Sequence, residues 1–151
     1  MNLVGIGGRG ESVWLAWFLL DTLARFTPIA EVRGDHDRVK AWRQCAATVR
    51  TALERDGWDG AWYRRGYYDD GTPLGSDRSD ECTIDVIAQS WSVMSGVADP
   101  ARAAQEMAAV DARLVDRKHS VAMLFTPPFD SARQDPGYIK GYPPGIRENG
   151  G

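Results

Sequence analysis

The chain has 151 residues and a mass of 16.7 kDa, the size of one domain, and carries a net charge of −3 with charges of both signs interspersed. That balance excludes the basic footprint of a nucleic-acid binder and the polybasic segment of a membrane-surface protein. Cys45 and Cys82 lack metal-ligand spacing and His36 and His119 stand alone in polar runs, so reduced structural thiols are expected, with no metal and no other cofactor.

In chain order, Met1–Gly10 contains Gly5-x-Gly7-x-x-Gly10, which has the form of a dinucleotide fingerprint. A nucleotide-binding unit needs a hydrophobic strand before those glycines and another after the following helix. Leu3–Val4 is too short for the first, and Pro28 then Glu31-Val32-Arg33-Gly34 stand where the second belongs, so the glycines read as a flexible loop entering a helix. The first helix is predicted from about Glu11 to Phe26, apolar on all sides from Val13 to Leu20, as in a helix enclosed by a larger core. This apolar run of eight residues is too short to span a bilayer, and no charged leader with a small-residue cleavage site precedes it. A soluble, cytoplasmic chain without membrane contact is expected.

A second helix, about Asp35 to Arg55, places Val39, Trp42, Ala46, Val49 and Leu53 on one side. Further on, Ile87, Trp91 and Met94 recur at helical spacing, with Gly96 as the stop. The fourth helix begins with Asp99 as cap and Pro100 in first position, and Ala103, Met107, Val110 and Leu114 form its stripe. The order is buried, amphipathic, buried, amphipathic, which suits a mainly all-α, two-layer arrangement. No repeat or change of composition divides the chain.

Between the second and third helices, Gly57–Ser76 packs Trp58, Trp62, Tyr63, Tyr67 and Tyr68 among Asp59, Arg64, Arg65, Asp69 and Asp70, with glycines breaking every regular element. Two readings fit. One is a carbohydrate site, in which rings stack on the C–H faces of a sugar while charged groups hold its hydroxyls. The other is an aromatic hairpin packed on the helices, its rings filling core. From Thr126 to Gly151 periodicity disappears into a long irregular segment stiffened by Pro127, Pro128, Pro136, Pro143 and Pro144, an ordered and functional loop by composition.

The phrases W-D-G-A-W-Y-R-R-G-Y-Y-D-D-G-T-P-L-G-S, E-C-T-I-D-V-I-A-Q-S-W-S-V-M-S-G and G-Y-P-P-G-I-R-E-N-G-G resemble the cellobiose and chitobiose phosphorylase family of inverting glycoside phosphorylases. Among its members, I-A-Q-S-W, L-F-T-P-P-F-D and D-P-G-Y-I-K-G-Y-P-P-G are most similar to the phosphorylase domain of cyclic β-1,2-glucan synthases and to β-1,2-oligoglucan phosphorylases. The resemblance runs from Met1 to Gly151. It implies a single incomplete segment, 1–151, of a catalytic domain built as an (α/α)6 toroid, of which four helices make only a part.

The resemblance also implies a chemistry. One carboxylic acid protonates the glycosidic oxygen while inorganic phosphate, a co-substrate, attacks the anomeric carbon from the opposite face. In the family that acid sits in a D-W-N-D-G-M-N type phrase, of which Met1-Asn2 matches the end, so it is expected just upstream of Met1. A phosphate-binding histidine is expected just beyond Gly151. By motif, Tyr142 and Arg147 contact substrate on the acceptor side, although relatives often have Lys at the position of Arg147. Arg147 orients either a sugar hydroxyl or Glu148, and Arg65 and Asp70 either hold the hairpin or line the cleft.

Three functions follow. The first is an incomplete, by itself inactive, piece of an enzyme acting on a β-glucan or oligosaccharide, whose parent is either soluble or part of an inner-membrane synthase. The second is a self-standing helical carbohydrate-binding or scaffold protein, and the third is nucleotide binding through Gly5–Gly10. The all-apolar first helix, served by only three others, adds an expectation of an exposed surface and of self-association.

Overall fold

In the computed structural model, which describes residues 1–151, the helix ends follow local chemistry. After β1 (Glu11–Ser12) comes α1 (Val13–Val32), and α2 (His36–Ala52) starts where the Asp35 carboxylate accepts the Arg38 N–H at 3.1 Å. One π-helical turn, Leu53–Gly57, extends α2 close to its predicted end. The two short strands β2 (Gly66–Tyr67) and β3 (Pro73–Leu74) form the expected hairpin, and β4 (Ile84–Asp85) leads into α3 (Val86–Ser95), capped by Asp85 and stopped by Gly96 at φ 68°. In α4 (Pro100–Leu114) the Asp99 carboxylate accepts from Ala101 and Arg102, both at 3.0 Å. The strands β5 (Val115–Asp116), β6 (Val121–Ala122) and β7 (Phe125–Thr126) complete the chain's regular structure, apart from a 3-10 turn at Tyr138–Gly141. The molecule is mainly α, its sheets mere antiparallel clips: β1-β2-β3, β4-β7 and β5-β6.

α1 departs from its predicted end at Phe26, since it runs through Pro28 to Val32. Proline inside a helix removes one N–H and costs about 3 kcal/mol. Tertiary contacts offset this cost. Leu23 and Ala30 are buried, the Ala30 carbonyl accepts from Asp35 at 2.9 Å, and Arg43 of α2 pairs with Glu31. The full helix of 20 residues is, by length and composition, apolar enough to cross a membrane, unlike the eight-residue run alone. Here it packs against α2 and α3.

The core is divided into three clusters. Val13, Trp17 and Leu20 of α1 meet Leu53 and Tyr63, Leu74 and Cys82 meet Phe125, Phe129 and Ile139, and Trp62 and Ile84 meet Val110 and Leu114. Trp62 and Tyr63, 3% and 0% exposed, therefore belong to the core, and for these two rings the packing reading holds. The Trp62 indole N–H donates to the Gly75 and Thr83 carbonyls, each at 3.0 Å, which closes the hairpin on the strand before α3.

α1 is not enclosed on all sides. Leu15, Phe18, Phe26, Ile29 and Val32 form an exposed ridge opposite Trp17 and Leu20. The buried face of α3 also differs from its predicted stripe, being formed by Ala88, Gln89, Ser92 and Ser95 while Met94 is 59% exposed. Polar groups tolerate this position because each finds a partner. The Gln89 carboxamide accepts the Tyr63 N–H at 2.8 Å and donates to the Tyr63 carbonyl at 2.7 Å, so α3 grips the hairpin through its backbone.

Candidate functional site

The irregular C-terminal segment is ordered by one side chain. Asn149 is fully buried: its Nδ2 donates to the carbonyls of Phe129 and Tyr142, both at 2.8 Å, and its Oδ1 accepts the Phe129 N–H at 2.8 Å. The turn before it places Arg147 at φ 50°, a left-handed conformation that costs a non-glycine residue about 1 kcal/mol or more and persists only when neighbours enforce it. The Gly151 N–H donates to the Arg147 carbonyl and the Gly145 N–H to that of Asn149, each at 2.9 Å, and this enforces it. The Arg147 guanidinium then lies 5.7 Å from the centroid of the half-buried Tyr142 ring. Arg147 and Glu148 are both exposed, and Glu148 has no ion pair. The fold thus brings Tyr142 and Arg147 together, with Glu148 beside them.

The N-terminal residues arrive at the same segment. Asn2 Oδ1 accepts the Tyr138 N–H at 3.0 Å, and a Cβ on Gly137 would lie 2.0 Å from that oxygen, so only glycine allows the approach. Next to Met1 is a hollow of about 300 Å³ lined by Val4, Glu11, Trp14, Arg65 and Leu74 among others. Arg65 stands between this hollow and the hairpin. It lines this hollow, stacked 5.6 Å from the Trp14 centroid, and it anchors the hairpin through Asp85 at 3.1 Å and Ser12 at 3.3 Å. Burial pushes the Asp85 carboxyl above its ordinary range, and the Arg65 charge opposes that shift.

Asp70 lies elsewhere. At the hairpin tip it accepts the Thr72 N–H at 2.9 Å and the Gln134 amide at 2.7 Å, which is ordinary turn chemistry at the rim of a different cleft. Its neighbour Asp69 has the more unusual position. It accepts the backbone N–H groups of Gly7, Arg9 and Gly10 at 2.6, 2.7 and 2.8 Å, and these bonds, the one from Gly7 foremost, hold its carboxyl below the usual range. The amides that a dinucleotide phosphate would need are already taken by this carboxylate.

Several site-shaping residues escape hydrophobic periodicity. Glu106 is fully buried between α3 and α4, accepts from the Ser92 hydroxyl, and leaves its second oxygen without a partner. Burial pushes its pKa up to about 8. The carboxyls held upward, Asp85 and Glu106, are 2% and 0% exposed, so neither can reach a glycosidic oxygen. Glu81 also escapes periodicity but is held the other way, below the usual carboxylate range: it accepts the N–H groups of Asp130, Ser131 and Ala132 at 3.1, 2.8 and 3.0 Å. No three His, Cys, Asp or Glu side chains converge as a metal site would require.

Comparison with known proteins matches residues 1–151 to the model of the glycosyl hydrolase 94 superfamily catalytic domain. The chain is 56% identical over 151 residues to the cyclic beta-(1,2)-glucan synthase NdvB of Rhizobium meliloti, covering 100% of this chain and 5% of that protein. It is 37% identical to solabiose phosphorylase of Paenibacillus borealis, over 99% of this chain and 19% of the relative. With N,N'-diacetylchitobiose phosphorylase of Vibrio proteolyticus the identity is 31%, over 95% of this chain and 18% of the relative.

Proposed function

Because the chain belongs to the glycosyl hydrolase 94 superfamily, as a segment of its catalytic domain, we infer that it is part of an enzyme that phosphorolyses or transfers β-linked glucosyl units, with β-1,2-glucan as substrate. Tyr142 and Arg147 supply acceptor-side contacts to the sugar, with Glu148 at the rim, and inorganic phosphate is the co-substrate of the whole enzyme. The observation that carries this reading is the Asn149 staple. It fixes Tyr142 and a conformationally strained Arg147 as one rigid, solvent-facing pair, and a planar guanidinium beside an aromatic ring suits a polyol. Arg65 lines the neighbouring hollow from a charge-paired position, and its first duty is to Asp85.

By the same reading the four helices form an arc of an (α/α)6 toroid, and the segment works in the compartment of its parent, the cytoplasm or the cytoplasmic side of an inner membrane. The segment alone does no chemistry, since its raised carboxyls are sealed in the core and an absent general acid forfeits about 10²–10⁴-fold in rate. The test uses the purified chain with a linear β-1,2-linked glucooligosaccharide and phosphate. No glucose 1-phosphate and no reducing sugar are expected, while the Tyr142 and Arg147 signals shift in its nuclear magnetic resonance spectrum. Phosphate-dependent turnover, or a spectrum blind to the sugar, overturns the reading.

A further inference from the structure

The cleft at the rim of which Asp70 sits has neither Tyr142 nor Arg147 in its lining and shares only Leu74 with the hollow beside Met1. It has a volume of about 620 Å³, within the range of roughly 300–1,000 Å³ in which small-molecule sites fall. Its construction is rigid on both sides. One wall is the tip of the β2–β3 hairpin, and the other is the loop Phe129–Gln134, whose backbone N–H groups are gathered by the Glu81 carboxylate. Burial alone would raise that carboxyl, yet the amides of Ser131, Asp130 and Ala132 together with the Ser131 hydroxyl hold it below the usual range. The Gln134 amide then joins the two walls, donating to Asp70 at 2.7 Å and to the Thr72 hydroxyl at 3.2 Å. A cleft tied at its floor and across its rim exists before a ligand arrives, so little ordering entropy opposes binding.

The lining selects the ligand class. Tyr68 is half-buried, packed against the cluster of Leu74, Phe125 and Phe129, and still presents surface to the cleft. Around it stand Arg78, Asp80 and Arg133, none of them engaged in an ion pair. With Asp70 and Glu81 in the same lining, the two arginines face three carboxylates, so the cleft offers donors and acceptors of both signs without a strong field that would favour an anion or a cation. An aromatic wall with such a rim fits the C–H face and hydroxyl edge of a neutral sugar. We propose that this cleft is a second carbohydrate subsite that holds a neutral glucan chain away from the acceptor turn, with Tyr68 as platform and Arg78, Asp80 and Arg133 as hydroxyl contacts. The ligand class rests on the carbohydrate reading above, whereas the location does not.

The experiment titrates the full 151-residue chain with a linear β-1,2-linked glucooligosaccharide and, separately, with inorganic phosphate, following backbone amide signals. The sugar should shift Thr72, Ser79, Arg133 and Gln134, and phosphate alone should leave them in place. Arg133→Ala and Asp80→Ala remove exposed, unpaired groups, so both should keep the wild-type melting temperature and weaken the sugar-induced shifts of this cleft by at least about fivefold. Arg147→Ala should leave those shifts unchanged. If the sugar moves only Tyr142, Arg147 and Asn149, the second subsite is wrong and the acceptor reading stands. If it moves neither set, both fall. Displacement of the cleft signals by phosphate alone would make this an anion site and overturn the proposal.

Discussion

Two arginines that look alike in the sequence, Arg65 and Arg147, are opposites in the folded chain. The side chain of Arg65 is 14% exposed and answers a carboxylate that is 3% exposed, whereas Arg147 lies on the surface with no carboxylate partner. Removing one member of a buried pair strands the other, at up to about 3–5 kcal/mol. Arg65→Ala should therefore lower the melting temperature steeply and Arg147→Ala hardly at all, and equal effects would remove the distinction. Glu106 gives a pH dependence of definite sign. Its carboxyl titrates near 4.5 in the unfolded chain and at about 8 in the folded one, mainly because it is buried. Below pH 4.5 both states hold the proton. From there to about pH 8 the unfolded chain releases it while the folded chain keeps it, so stability falls across that window and levels off above it. Glu106→Gln, which retains an acceptor for Ser92, should flatten the profile and melt higher than the parent at pH 8, and parallel melting curves for the two proteins would contradict this. Neither Glu106 nor Asn149 was legible as a key residue from periodicity, because the partners Ser92 and Phe129 lie 14 and 20 residues away and Tyr142 sits across an irregular turn.

At the level of elements, what was local was legible. The start of α4 and the stop of α3 were placed by Asp99 and Gly96, whose capping chemistry acts within a few residues, and α2 begins one residue after the expected Asp35, which proves to be its cap. The tail of α1 was not, since its survival past Pro28 depends on Ala30 and Glu31 meeting the start of α2. The polar buried face of α3 was hidden for the same reason: a stripe of Gln89 and Ser92 looks solvent-facing until Tyr63 and Glu106 are known to be its partners. Tyr142 and Arg147 were singled out as candidates by motif resemblance alone, and the loop that carries them has no periodic signal of its own. The exposed ridge of α1, in contrast, was foreseeable from a helix apolar on every side. Phe26 and Ile29 are 54% and 55% exposed. The chain is expected to associate through them, and Phe26→Lys with Ile29→Glu should shift dissociation by at least about tenfold in sedimentation runs while leaving the helical signal intact. A wild-type chain that stays monomeric at every concentration would rule this out.

As a whole molecule the chain has 31 buried residues of 151, and its hydrophobic core is divided into three clusters of five, five and four buried residues rather than gathered into one. A core so divided resists unfolding weakly, and polar threads fasten other parts of the chain to it, such as Gln89 to Tyr63 and Asn149 to Phe129. A sharp single transition in a monomer that binds no hydrophobic dye would instead support a self-standing binding module. The last of those threads has a chemical corollary. Asn149 precedes Gly150, a pairing in which the glycine nitrogen readily attacks the side-chain amide carbon and converts asparagine to aspartate through a cyclic imide. In the folded chain the carboxamide is fastened by three hydrogen bonds to Phe129 and Tyr142 and cannot turn towards that nitrogen. Ageing at this residue is therefore reserved for molecules that have opened, and its rate, read as the mass change of one peptide after digestion, is a slow clock for how often the acceptor turn comes apart. Each event is irreversible, because ammonia leaves as the imide forms and water then opens it, and the new carboxylate cannot donate to the Tyr142 carbonyl, so the turn that closed over an amide will not close over an acid.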